Sequence, residues 1–144
     1  GTADCFICEA DLYISDLSIF DAELSRSCYY GKMVPGFSDD WVFDWDGERI
    51  TRVGKEGTDR YNMVGVSYFK KADAAVIRDA IDAAYEKPGY EGLYWDEIVD
   101  RQLDKLNLDI HPVEKEQIVE IDSVAELAVI DESYREVLEK MQAE

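Results

Sequence analysis

Apolar residues fall in short runs along this chain, with two different periods. Cys5–Cys8 is a continuous apolar run bounded by Asp4 and Glu9, which predicts a buried, central strand. Leu17, Phe20 and Leu24 recur at helical spacing and predict a helix over 16–27, with Asp16 or Ser18 as its cap. Cys28–Tyr30 is a short strand candidate, followed by a loop over 31–38 around Pro35-Gly36. Trp41, Phe43 and Trp45 alternate with Val42 and Asp44, the period of a strand with an aromatic face. Asp46-Gly47 signals a hairpin, with a returning strand over 48–53 and a polar, mobile stretch over 55–59.

Tyr61–Phe69 is the most strand-like run, and Gly65 in its middle marks a bulge or a close backbone approach. A helix capped by Asp73 carries the stripe Ile77, Ala80, Ile81 and Ala84 and stops at Pro88-Gly89. A second helix begins near Tyr94 and buries Trp95, Ile98, Val99, Leu103 and Leu106. Two short strands follow over 108–113 and 117–121, and 123–141 is helical in two pieces. The interleaving predicts an α/β or α+β class with a mixed sheet. No repeat, linker or low-complexity stretch divides the 144 residues, so 1–144 is expected to be one domain.

Charge narrows the partners. Asp and Glu number 33 against 15 Lys and Arg, for a net charge of -18. That balance excludes the basic footprint of a nucleic-acid binder and disfavours an anionic membrane surface. No apolar run reaches the roughly 20 residues of a membrane span, and the first residues do not resemble a secretory signal. The expected location is the cytoplasm. The cysteines are Cys5, Cys8 and Cys28, and the single histidine is His111. On a strand, Cys5 and Cys8 point to opposite faces, so they read as small buried hydrophobes rather than a zinc knuckle.

With so many acids, position selects the interesting ones. Asp11 follows directly on the first strand, where open sheets bind ligands, and could hold Mg2+; its plainer role is to cap the next turn. Asp122 repeats this placement after the strand over 117–121, and from spacing alone it reads first as the cap of the next helix. Asp96 lies in a first helical turn, where the dipole favours a carboxylate in any case. Trp41, Trp45, Tyr94 and Trp95 lie near acids, a combination able to hold a quaternary ammonium, although Trp95 sits on the core-facing stripe.

The segments EADLYISD, SDDWVFDWDG, NMVGVSYF, GLYWDEIV and VEIDSVAEL, in this order and spacing, resemble the sugar-phosphate nucleotidyltransferase-like superfamily, with the bacterial choline-phosphate cytidylyltransferase branch the best match. The resemblance covers nearly the whole chain. It implies a mixed, mainly parallel sheet flanked by helices, and transfer of CMP from CTP to phosphocholine or a related phosphorylated amine with release of pyrophosphate. By this likeness Asp11 and Asp122 would be the Mg2+ ligands. Trp41 and Tyr94 would wall the headgroup, and Asp96 and Glu120 would add negative charge beside its ammonium. The family's Gly-rich, basic triphosphate loop has no counterpart here. The chain is therefore expected to be a C-terminal part, inactive alone, with self-association through an unpaired edge as one consequence. A non-catalytic acidic module that binds a basic protein is the alternative the same composition allows.

Overall fold

Asp46 closes the turn that joins the two longest strands. Its carboxylate accepts from the backbone N–H of Glu48 and of Arg49, both at 2.9 Å, and Gly47 supplies the positive φ that the turn requires. The computed structural model describes residues 3–143. In chain order the strands are β1 (Cys5–Cys8), β2 (Leu12–Ile14), β3 (Cys28–Trp45), β4 (Ile50–Phe69), β5 (Asp109–Pro112) and β6 (Ile118–Glu120). The helices are α1 (Lys71–Tyr85), α2 (Trp95–Asp100), α3 (Val124–Ile130) and α4 (Arg135–Gln142), with short 3-10 turns at Leu17–Phe20, Tyr90–Gly92 and Glu132–Tyr134.

One sheet has the order β1-β4-β3-β5, and β2 and β6 form a separate ribbon. The expected mixed sheet with flanking helices is present. Among the described residues β1–β4 and β3–β4 pair antiparallel and β3–β5 pairs parallel. The first strand is not central. Among the described residues β1 is an edge strand, and Phe6, Ile7 and Cys8 are exposed. Its run of apolar residues carries no information on how many neighbours it has.

The β3–β4 pair is longer than its hydropathy suggests. Residues 31–38, expected as a loop, lie within β3, which is irregular at Val34–Phe37 and again at Ser38–Trp41. Residues 55–59, expected as mobile, lie within β4. There the order comes from hydrogen bonds rather than burial. The Arg52 guanidinium donates to Asp44 and to the carbonyls of Lys55 and Glu56, and Arg60 donates to the other Asp44 oxygen. These two arginines hold the Asp44 carboxyl below its ordinary range.

The bulges let β3 turn back on its partner. Val42 pairs with Gly54 on one side and Asn62 on the other, and Phe43 pairs with Val53 and Tyr61. The first half of β3 already covers one edge of β4, so its second half shares the other edge with β1. The two lie end to end and leave Met63–Gly65 facing a gap.

Side-chain alternation buries both faces. Tyr29, Phe43, Phe69, Ile77, Val99 and Leu108 belong to the core under α1 and α2. Cys28, Tyr30, Val64, Val66 and Ile118 belong to the core under the β2–β6 ribbon. The expected helix over 16–27 shrinks to one 3-10 turn, with Asp16 accepting from the Ser18 N–H as its cap. Ile19 alone of that turn is buried, and Leu17 is 70% exposed. Ser27 is engaged elsewhere, accepting from the Lys70 N–H and donating to Asp73, which therefore does not cap α1. That role falls to Asp4, which accepts from the Lys71 N–H and the Lys70 ammonium.

Phe43 lies at the crossing of β3, β4 and the α1–α2 core. Phe43→Ala is expected to cost about 3–5 kcal/mol in urea denaturation, whereas Leu17→Ala should stay within about 0.5 kcal/mol.

Candidate functional site

The gap opposite Met63–Gly65 is where the chain's acids converge. Glu9 is the first residue after β1, and its backbone N–H donates to the Gly65 carbonyl at 2.9 Å. Asp11 immediately precedes β2. Glu120 ends β6 and stands opposite Leu12 in the ribbon, with the Ile121 N–H donating to the Asp11 carbonyl at 2.8 Å. The ribbon thus carries Asp11 and Glu120 side by side to the carboxyl end of β1, the position at which open sheets bind ligands. One carboxylate oxygen from each of Glu9, Asp11 and Glu120 lies within 4.8 Å of the others. Glu9, Glu120, Asp40, Trp41, Lys32 and Gly65 are among the residues lining the small crevice there.

This concentration of negative charge is felt by the acids themselves. Glu9 is pushed above its ordinary pKa by desolvation and then by Asp11 and Asp40. Glu120 is pushed up by desolvation and then by Asp122, Asp11, Asp40 and Glu9. A cation entering the crevice would relieve that repulsion. The donors are hard oxygens on exposed side chains, and they fit a divalent ion that keeps part of its water.

The structure places Asp11, one of the two acids the resemblance implied as metal ligands, among other carboxylates. Asp11 meets Glu9 and Glu120, and Asp122 contributes no oxygen to the group. Asp122 stands beside the group, and its charge helps to push Glu120 up. It is not the cap of α3. Ser123 Oγ accepts from the Glu126 N–H, and the Glu126 carboxylate accepts from the Asp122 N–H at 2.7 Å. Asp96 faces the core. It is 4% exposed and accepts from the Tyr29 hydroxyl at 2.7 Å, and burial pushes its carboxyl up to about 6.

Trp41 and Tyr94 do come together, with ring centroids 5.6 Å apart at 71°. Trp41 borders the acidic crevice on one side. On the other it lines a cavity of about 550 Å³ with Val53, Lys55, Tyr94, Glu97 and Asp100. The Lys55 ammonium lies over both rings, 5.7 Å from Trp41 and 5.5 Å from Tyr94. A larger cleft of about 720 Å³ between α1 and α2 is lined by Ala80, Ala84, Ile98, Arg101 and Lys105, and it lies apart from the clustered acids.

The sequence reading assigned no role to Glu9 or Lys55. Glu9 had one signal, its place directly after the first strand and two residues before Asp11. Lys55 had none, because its approach to Trp41 depends on the bulged return of β4.

No family model matches the chain. A 2-aminoethylphosphonate cytidylyltransferase of Lancefieldella rimae is 52% identical over 130 residues, which is 90% of this chain and 53% of that protein. A choline-phosphate cytidylyltransferase of Streptococcus pneumoniae is 26% identical over 131 residues, covering 90% and 57%. The solved structure of CTP:phosphocholine cytidylyltransferase from Streptococcus pneumoniae superposes with a TM-score of 0.75 at 25% identity, again over 90% of this chain and 57% of that one. The chain is thus nucleotidyltransferase-like in sequence and fold, and it spans about half the length of the curated relatives it matches. No helix among the described residues is long and apolar enough to cross a membrane.

Two substitutions test the geometry. Gly65 has φ +79°, and a Cβ there would lie 2.7 Å from a Glu9 oxygen and 3.0 Å from Leu12. Gly65→Ala should therefore destabilise the fold by about 1–3 kcal/mol in urea denaturation. For Asp96 the folded pKa of about 6 lies above the unfolded value of 3.8, so the folded state binds the extra proton between these values. Stability from this group is then highest at low pH and is lost as pH rises through about 6. Asp96→Asn should raise stability relative to the parent at pH 7.5, by on the order of 1–3 kcal/mol, and the difference should shrink toward pH 4.

Proposed function

We propose that this chain supplies the metal and headgroup half of a cytidylyltransferase site. That site would transfer CMP from CTP to a small amine bearing a phosphate or phosphonate, with release of pyrophosphate. The observation that carries the reading is the convergence of Glu9, Asp11 and Glu120 at the carboxyl end of β1, in a chain matching cytidylyltransferases over nine-tenths of its length.

The nucleophile is an oxygen of the acceptor's own phosphate or phosphonate, so no covalent protein intermediate is needed. Glu9, Asp11 and Glu120 would hold Mg2+, and Asp122 would add its charge beside Glu120. A bound Mg2+ would neutralise the triphosphate and make the α-phosphorus more open to attack. The chain's own contribution is positioning and a fixed electrostatic field, the two main resources of phosphoryl-transfer catalysis.

The headgroup ammonium has two kinds of partner available. Asp40, the crevice carboxylate outside the metal set, can accept hydrogen bonds from a primary ammonium, and the Trp41 and Tyr94 faces attract any cation. Asp96 enters only from the core side, through Tyr29. Identity is twice as high to the phosphonate relative as to the phosphocholine relative, which favours an aminoalkyl phosphonate as the acceptor. The positive charge that faces the triphosphate would come from an amino-terminal part.

The test is pyrophosphate release from CTP and Mg2+ with 2-aminoethylphosphonate or phosphocholine. The chain alone should show none. Joined to the amino-terminal part of the Lancefieldella rimae relative it should turn over, and Asp11→Asn or Glu120→Gln should then cut kcat at least a hundredfold. Turnover by the chain alone would sink the split site, and full activity without Asp11 would sink the metal assignment.

A further inference from the structure

The aromatic pair already holds a cation. Lys55 Nζ lies within cation–π range of both Trp41 and Tyr94. Among the described residues this ammonium takes part in no ion pair. The contact is built from the backbone outward. Arg52, fixed on Asp44, clamps the Lys55 carbonyl at 3.2 Å and the Glu56 carbonyl at 3.0 Å. Glu56 turns the chain with φ 67°. On the opposite wall, Asp100 accepts from the Val53 N–H at 2.7 Å and ties the end of α2 to β4, while Glu97 accepts from the Tyr94 N–H. The rings and the lysine are therefore brought together by separately anchored segments.

We infer that Lys55 is a specificity-determining residue, an internal competitor that occupies the Trp41–Tyr94 pair and so penalises ligands with a quaternary ammonium. The chemistry of the two cation classes differs. A quaternary ammonium has no N–H and cannot hydrogen-bond to a carboxylate, so its best partner is an aromatic face. To reach that face it must displace Lys55. A primary ammonium has three donors and is satisfied by the Asp40 carboxylate beside Trp41 and by water without entering the pair. Lys55 thus discriminates by occupying the one surface a methylated headgroup needs. This rests on the reading of the pair as a headgroup wall, and it goes further by naming the residue that controls access.

The experiment is titration of this chain with choline and with ethanolamine, followed through the Trp41 indole N–H resonance. Lys55→Met should tighten choline about fivefold, the size of an exposed cation–π contact, and change ethanolamine less than twofold. Lys55→Arg keeps a cation over the rings and should bind choline as the parent does. Adding Tyr94→Ala to Lys55→Met should abolish the gain. Equal tightening of both amines would reduce the effect to bulk charge and overturn the inference. So would no tightening of choline, or a gain that survives the loss of Tyr94. Failure of pyrophosphate release with the choline gain intact would remove the enzymatic reading alone. Turnover without the choline gain would remove only the role of Lys55.

Discussion

Backbone hydrogen bonding along one edge of β4 governs the site. That edge is satisfied by two partners laid end to end, β1 and the returning half of β3. Neither reaches Met63–Gly65, and β1 cannot continue because Glu9 turns away at Gly65. Here the Glu9 N–H still takes the Gly65 carbonyl, and the missing Cβ leaves room for the Glu9 carboxylate. A gap in a strand edge exposes polar backbone and admits side chains from elsewhere. The β2–β6 ribbon fills that role, and its register delivers Asp11 and Glu120 beside Glu9.

Electrostatics then divides the molecule's acids into two kinds. Most of the 33 carboxylates are surface groups that repel one another weakly through water. Desolvation first, and neighbouring acids second, raise the pKa of Glu9 and Glu120, an arrangement that is tolerable where a cation is to be bound. Asp44 is the opposite case, saturated by Arg52 and Arg60 and spent on ordering the β4 bulge. Asp96 is a third case, buried and accepting from the Tyr29 hydroxyl.

Trp41 links the two halves of the site. One side of it borders the acids, and the other meets Tyr94 and the Lys55 ammonium. An amine would therefore meet carboxylates and an aromatic face within one side chain's width, and the resident lysine biases which of them it uses. The net charge of -18, which first excluded nucleic acid, is consistent with the proposed half-site, which would take a metal ion and an ammonium group.

The sequence by itself determined much of this protein. Strand and helix identities from Tyr61 to Met141, the Asp46-Gly47 turn and the special place of Gly65 were legible, because each rests on local period or turn chemistry. So was the family likeness, which rests on motifs in order. Tertiary structure alone decided which acids meet, since Glu9, Asp11 and Glu120 are joined by ribbon register and by a gap in a strand edge, neither of which has a local signature. It also decided that β1 is an edge and that the polar stretch at Lys55–Asp59 is ordered. Hydropathy reports burial, whereas these features depend on neighbours and on arginine hydrogen bonds supplied from distant residues.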